Sequence, residues 1–228
     1  MRTFLIILLT LFLELTVFGT PQASDIIFYK GRKYKLHTNP LEKYFEKFPD
    51  KRPDLFLIEE IIITSANWRG YVATFEIRDN QLYLKDIEIQ IRETENRRGY
   101  INKSILNDVF PNQDFVKVDW MTGLLVLPSG RMVEYVHMGY ASTYRRYTLL
   151  EIDNGNLKNV KKFRRKNYEK FKEKQFQAFK KTDEYIKIKA DLQKNFRDIG
   201  MDIDIDDEFI DAFLRDFVVE YTSKILIE

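Results

Sequence analysis

Between residues 25 and 160, apolar and polar residues alternate in a succession of short stretches. In 82–91 the alternation slips once, at Lys85 and Asp86, which predicts a β-bulge. Alternation of this kind indicates strands that bury one face. Strands are predicted over 26–29, 33–36, 57–63, 70–77, 82–91, 115–118, 124–127, 132–138, 142–152 and 157–160. Many short strands separated by Gly, Asn and Asp turns predict an antiparallel sheet that is strongly curved or closed.

Two short helices interrupt this β-rich region. Asn39 followed by Pro40 predicts a helix start, since the Asn side chain can accept a free amide and Pro needs no hydrogen-bond partner there. That helix is predicted over 40–48 and ends at Pro49. A second helical turn is predicted over 104–110.

From residue 161 onward the apolar spacing becomes helical. The clearest stripe is formed by Phe209, Ile210, Phe213, Leu214, Phe217, Val218 and Tyr221. Such stripes favour packing on the sheet or on one another, and partner binding or membrane contact is the alternative. The fold class predicted is therefore α+β: a curved antiparallel β-sheet over 25–160, with one or two short helices, and a helical carboxy-terminal segment over 161–228 that packs on the sheet.

Two stretches of the β-rich region resemble each other. Residues 70–82 and 139–157 both begin with Gly-Tyr, continue as a strand and turn at an Asp or Asn pair. An internal duplication would explain the likeness. The alternative is chance, because short strands and Asn or Asp turns recur for generic reasons.

The first two dozen residues have the order of a secretory signal. A basic tip, Met1 and Arg2, leads into an apolar run from Phe4 to Phe18, and small residues follow up to Ser24. A membrane span is less well supported, since the run is short and contains Glu14. We predict a signal peptide over 1–24 and an exported protein, periplasmic or in the cell envelope. An uncleaved amino-terminal anchor is the alternative.

The chain has no cysteine. Disulfides, thiolate nucleophiles, cysteine metal ligands and lipid-modified cysteines are therefore excluded. An exported protein without disulfides is held together by burial alone, and about 200 residues are enough for that, since a domain of this size buries roughly 70% of its unfolded surface. This combination favours a bacterial envelope over an animal secretory route.

Net charge is only +2, but the charges are unevenly distributed. Residues 158–181 hold eleven Lys and Arg against two acids, and residues 183–228 hold thirteen acids against six bases. Two neighbouring helices of opposite charge that attract each other would explain this. Alternatively, the basic block binds an anionic membrane surface such as phospholipid headgroups. An exported location argues against nucleic acid as a partner.

Motifs for catalysis are absent from the sequence. It contains no phosphate-binding glycine loop, no nucleophile elbow and no paired histidines, so no catalytic residue is assigned. A calcium-loop pattern starts at Asp202, Asp204 and Asp206, but Asp207 stands where Gly is required and Phe213 where Glu is required. We therefore expect 206–208 to cap the last helix. No metal and no cofactor is predicted.

Candidate binding residues cluster at two strand starts. Trp68, Arg69 and Tyr71 flank Gly70, and His137 and Tyr140 flank Gly139 in the second similar stretch. If the two stretches lie together, with Trp120 as a further wall, they would form an aromatic pocket with one base and one cation. The alternative is that these aromatic residues belong to the hydrophobic core, and that their polar atoms form hydrogen bonds at the edge of the core.

The same segments carry a family resemblance. Residues 31–42, 68–71, 82–84 and 137–140 resemble a family of exported bacterial proteins to which no activity is assigned. The resemblance implies a bacterial origin and a single architecture. It implies nothing about activity.

Three functions are consistent with these features. The leading one is a non-enzymatic envelope protein that binds another macromolecule, of the immunity or inhibitor type. The second is a small-ligand binder or hydrolase that uses Trp68, Arg69, His137 and Tyr140. The third is association with a membrane surface through a basic helix over 158–181.

Overall fold

The computed structural model describes residues 20–93, 99–137, 139–198 and 206–227. Most of the predicted signal peptide, Met138, Asp202 and Asp204 lie outside the described residues. Within those ranges no helix combines the length and apolarity needed to cross a membrane.

The described chain contains a large sheet and several helices. The strands are β1 (Asp25–Tyr29), β2 (Arg32–Leu36), β3 (Tyr71–Arg78), β4 (Gln81–Arg92), β5 (Tyr100–Ser104), β6 (Val116–Lys117), β7 (Gly123–Glu134), β8 (Thr143–Asp153) and β9 (Asn156–Arg164). The helices are α1 (Pro40–Lys47), α2 (Leu106–Val109), α3 (Arg165–Phe179), α4 (Asp183–Asp198), α5 (Asp207–Asp216) and α6 (Val218–Tyr221). Short 3-10 turns lie at Pro49–Lys51 and Leu55–Leu57.

The predicted α+β class is confirmed. The strands form one sheet in the order β2-β1-β3-β4-β9-β8-β7, with β5 and β6 also pairing β4. The sheet is slightly curled and does not close into a barrel. It is mixed rather than purely antiparallel, since β1 and β3 run parallel. The connection through α1 is long enough to return the chain to the starting end of the sheet, as a parallel pair requires.

Tight turns set the register of three hairpins. Lys30–Gly31, Asp79–Asn80 and Asn154–Gly155 each have positive φ at both central residues. This geometry matches the right-handed twist of the strands that it joins. The predicted bulge is also present: Thr74 pairs with Asp86 and Phe75 with Leu84, so Lys85 is the extra residue.

The two halves of the sheet meet at the tips of two hairpins. The Leu82 N–H donates to the Gly155 carbonyl at 2.8 Å, and the Leu157 N–H donates to the Asn80 carbonyl at 2.7 Å. The β3–β4 and β8–β9 hairpins therefore share a turn type and contact each other reciprocally. The internal duplication stays a prediction.

A hydrophobic core lies on each face of the sheet. The first packs the strands against α1 and α2 and includes Ile27, Leu41, Phe45, Phe75, Leu84, Leu125, Leu127 and Leu150. The second packs β7 and β8 against the carboxy-terminal helices and includes Leu124, Val126, Leu149, Phe171, Phe176, Ile210, Leu214 and Val218. Neighbouring residues of β7 belong to different cores because strand side chains alternate between faces. Burial of Ile210, Leu214 and Val218 confirms that the last apolar stripe is core.

Three predicted elements differ from the structure. Residues 57–63 form turns and isolated bridges rather than a strand, and β7 joins two strands that were predicted separately. The basic block 158–181 is not one helix, since β9 extends to Arg164 and α3 begins at Arg165. Pairing of β9 with β8 over its whole length outweighs the helix propensity of its lysines.

Candidate functional site

A buried ion pair ties the first strand to the turn before β3. Arg69 Nη1 donates to Asp25 Oδ1 at 2.9 Å, and the two residues are 4% and 0% exposed. The Ala73 N–H donates to the same oxygen at 2.9 Å. Burial raises the pKa of Asp25 to about 6, while Arg69 opposes the shift. At pH 7 the pair is therefore ionised.

Both terminal nitrogens of Arg69 make hydrogen bonds in this arrangement. Its Nη2 donates to the Ala23 carbonyl at 2.8 Å, and its guanidinium lies 5.1 Å from the centre of the Tyr71 ring. Tyr140 joins the same cluster, since its hydroxyl lies 2.9 Å from Asn39 Oδ1 and 3.3 Å from the Ala23 carbonyl. Arg69, Tyr71 and Tyr140 therefore come together, as predicted, but as a packed network rather than around an open pocket.

The hydrogen bond to Tyr140 changes how the start of α1 is capped. Asn39 was predicted to cap this helix, but its side chain makes no capping hydrogen bond. Its side-chain oxygen accepts from the Tyr140 hydroxyl instead, because the fold places that hydroxyl 2.9 Å away. The Glu42 N–H still bonds the Asn39 carbonyl at 3.1 Å, so the helix starts where predicted.

Glu42 links the network to α1. The Tyr71 hydroxyl donates to its carboxylate, and Arg52 donates to both carboxylate oxygens at 3.2 and 2.6 Å. One carboxylate thus binds a phenol and a guanidinium together.

The other predicted binding residues lie apart from this network. Trp68 is 60% exposed, and His137 is exposed with its ring 4.5 Å from that of Tyr135. Trp120 donates to the Pro40 carbonyl at 2.9 Å and stacks on Phe110 with ring centres 5.9 Å apart. Trp120 therefore packs at the edge of the first core, and binding by these residues stays a prediction.

Beside the network a cavity of about 380 Å³ lies between α1 and the carboxy-terminal helices. We call it the junction cleft. Its charged and titratable lining consists of His37, Glu42, Lys43, Glu46, Glu184 and Glu220, and the Tyr140 and Tyr221 side chains also line it. Four glutamates stand against one lysine, but Arg52 neutralises Glu42 and the pKa of Glu220 is raised to about 7, so the excess of negative charge in the cleft is small.

His37 is an enclosed polar side chain of the cleft. It is 7% exposed, and its ring stacks on Tyr140 with ring centres 4.7 Å apart. The Tyr144 ring stands edge-to-face with it, with ring centres 5.5 Å apart. Its backbone N–H donates to the Val126 carbonyl at 2.9 Å, which fixes its position beside β7. Burial, with a smaller effect of Lys35, lowers the pKa of His37 to about 4. The imidazole is therefore neutral at pH 7.

The His37 ring also lacks a hydrogen-bond partner. Among the described residues, no side chain or backbone group bonds either ring nitrogen, although both can take part in hydrogen bonds. Neither ring nitrogen is among the fully buried polar atoms without a partner, so the nitrogens are open to the cleft, where solvent or a ligand can bond them.

Three charged groups of the cleft have no close ion-pair partner. Within the part of the chain that the structure describes, no opposite charge lies within 4.0 Å of Lys43, Glu46 or Glu220. Burial lowers the pKa of Lys43 while the neighbouring glutamates oppose the shift. Desolvation of its carboxyl raises the pKa of Glu220 to about 7, while the neighbouring Lys43 opposes the shift. Glu184, by contrast, accepts from the Ser223 N–H at 3.0 Å.

Sequence reasoning missed His37 and the glutamates. They come from four separate segments, at 37, 42–46, 184 and 220, and nothing in their spacing links them. Only the docking of the carboxy-terminal helices beside α1 brings them together.

Comparisons with known proteins found no likeness. No family model matches this chain, and neither a curated protein nor a solved structure matches it. The function is therefore inferred from the geometry of the cleft.

Proposed function

We propose that this protein is a non-enzymatic binding protein whose junction cleft holds a cationic side chain, lysine or arginine, of a partner protein. The observation that carries the proposal is that Glu46 and Glu220, which have no ion-pair partner, line the same cleft as a neutral His37 whose ring nitrogens make no hydrogen bond to the described residues. A guanidinium or ammonium group supplies donors to both.

The cleft has the size and chemistry for such a group. Its volume of about 380 Å³ lies near the lower end of the roughly 300–1,000 Å³ of small-ligand sites. Tyr140 and Tyr221 add aromatic side chains to the lining, and Glu46 and Glu220 offer carboxylates. Lys43 reduces the attraction, so its removal should strengthen binding.

Binding is better supported than catalysis. Among the cleft residues described, no hydroxyl bonds His37, and the Ser223 hydroxyl donates to Glu184 at 3.1 Å. A nucleophile and its base would need to be within hydrogen-bond reach of each other.

We also place this activity outside the cytoplasm, on the strength of the apolar run of the signal predicted over 1–24. Gln22 and Ala23 bond Gly139 and Ala66, and Ala23 accepts from Arg69, so a cleaved signal would have to end before these residues to keep the contacts. Cell fractionation tests the location separately. Full-length protein with an intact leader in the cytosol would contradict export and leave the cleft proposal standing.

The cleft proposal is tested with a short peptide amide that contains one arginine, and with the same peptide carrying neutral citrulline. Calorimetry should detect the arginine peptide only. The double variant E46Q/E220Q should weaken its binding by about tenfold or more, since hydrogen bonds between charged groups contribute about 1.5–3 kcal/mol each, whereas K43Q should strengthen it.

The matched control is E59Q/E134Q, which removes the same charge from exposed glutamates outside the cleft. If the control and E46Q/E220Q change binding equally, only overall charge matters and the cleft proposal is wrong. Equal binding of the two peptides would also overturn it.

A further inference from the structure

A second cavity, of about 450 Å³, has the opposite charge. It is lined by residues of β2, β7, β8 and β9, and we call it the basic groove. Its basic residues are Arg32, Lys33, Arg146, Lys162 and Arg164, and no acidic residue lines it. All five are exposed.

The register of the sheet forces like charges together in the groove. Arg146 of β8 stands directly opposite Arg164 of β9, and Lys162 stands two residues away on the same face. Like charges directly opposite each other destabilise a strand pair. An acidic neighbour would relieve the repulsion, yet none of the five residues has a carboxylate within 4.0 Å among those described.

The rest of the groove suits an extended anionic chain. Tyr34 and Phe163, both half-buried, are also among its lining residues. Arginines supply planar forks of donors that match phosphate oxygens. The basic residues come from three strands, so a chain lying along the groove contacts several of them in succession.

We propose that the basic groove binds a linear polyanion that bears phosphate groups. This inference is independent of the cationic ligand proposed for the junction cleft.

A flat membrane surface fits the structure less well. The basic residues line a concave cavity rather than a convex surface, and the groove offers no exposed large apolar side chain to insert into a bilayer. The apolar side of α3 is also occupied, because Tyr168, Phe171 and Phe176 are buried in the second core. An interfacial helix would need that side for the lipid.

The test uses short-chain inorganic polyphosphate and the full chain. R146Q/R164Q should weaken binding by about tenfold or more, since each charged hydrogen bond contributes about 1.5–3 kcal/mol. The wild-type affinity should fall as salt rises. The same variant should unfold at an equal or higher temperature, because the repulsion between the two arginines is gone. A binding loss caused by misfolding would instead lower the unfolding temperature.

Two control variants locate the site. K103Q/K117Q removes two exposed charges from β5 and β6, and K170Q/K174Q removes two from α3. Both should bind polyphosphate almost as the wild type does. Equal losses in all three variants would overturn the groove assignment in favour of overall charge.

Phospholipid vesicles containing phosphatidylglycerol, and free orthophosphate, distinguish the source of the phosphate. Stronger binding to vesicles than to polyphosphate, abolished by K170Q/K174Q, would overturn the proposal in favour of a membrane surface. Orthophosphate competing as effectively as polyphosphate would overturn the requirement for a chain. Binding of polyphosphate alone that depends on Arg146 and Arg164 supports the proposal.

Discussion

Asp25 and Arg69 contribute specificity more than stability. Removing two charges from water costs several kcal/mol per ion, and their attraction repays this cost only with complete hydrogen bonding. Here Asp25 Oδ2 is buried without a hydrogen-bond partner among the described residues. The pair therefore fixes how β1, the turn at 69 and the segment around Ala23 meet, with little net gain in stability.

Breaking the pair from one side should be costly. We expect Arg69→Met to lower the free energy of unfolding by about 3–5 kcal/mol, because a buried carboxylate is left unpaired. The double variant Asp25→Leu with Arg69→Met should recover most of the loss. Urea denaturation of the four proteins in this cycle measures the effect. A double variant as unstable as the single one would show that the pair stabilises the fold outright.

His37 predicts a pH dependence of stability. Its pKa of about 4 in the folded protein is below its ordinary 6.5, so the unfolded chain takes up the proton first. The free energy of unfolding is therefore independent of His37 above pH 6.5. Between pH 6.5 and 4 it falls by about 3 kcal/mol in total, because protonation of His37 favours the unfolded chain. Asp25 has the opposite effect, because its pKa is raised to about 6 in the folded protein. Its protonation therefore increases the free energy of unfolding as pH falls from 6 to 3.8.

The variant His37→Phe keeps an aromatic ring against Tyr140 but cannot titrate. The unfolding free energy of the wild type minus that of the variant should therefore fall as pH falls from 6.5 to 4, because only the wild type takes up a proton at this position. Urea midpoints measured across that range check this expectation. A difference that stays constant with pH would contradict the buried, neutral state of His37.

At the scale of elements, the hairpin tips decide how the sheet is assembled. Gly155 has φ +76° and lies where β9 turns back beside β4. A Cβ there would stand 2.3 Å from the Val118 carbonyl oxygen and 2.6 Å from Gln81 Nε2. The joint between the two halves of the sheet therefore needs a residue without a side chain.

Two glycine variants separate steric conflict from backbone strain. Gly31→Ala, at φ +72° with no atom within 4 Å of the new Cβ, should cost only the strain of a left-handed residue, about 1 kcal/mol. Gly155→Ala should cost about 2 kcal/mol more, since backbone atoms must also move. Thermal or urea unfolding of both variants provides the comparison. Equal losses would show that the hairpin tips are not in close contact.

For the molecule as a whole, the two cores share β7 and β8. Leu125 and Leu150 pack into the first core, and Leu124 and Leu149 into the second. The carboxy-terminal helices therefore cover a face of the sheet that would otherwise expose apolar side chains. Neither core is complete without these two strands.

This sharing predicts a single cooperative unfolding transition. Phe176, which is fully buried in the second core, is far in sequence from the first. Phe176→Ala should lower the stability of the whole protein by about 3–5 kcal/mol, with one transition by both far-UV circular dichroism and tryptophan fluorescence. Two separate transitions would show that the sheet and the helices fold independently.

The alternation of apolar residues determined the α+β class, most strands, the bulge at Lys85 and the helical carboxy-terminal segment, because these depend on neighbours within a few residues. Tertiary structure decided the rest. It extended β9 through lysines and arginines, drew the Asn39 side chain away from its helix to Tyr140, and placed β1 parallel to β3. It also assembled His37 with glutamates from distant segments, and Arg146 with Arg164, since contacts between residues far apart in the chain leave no local pattern in the sequence.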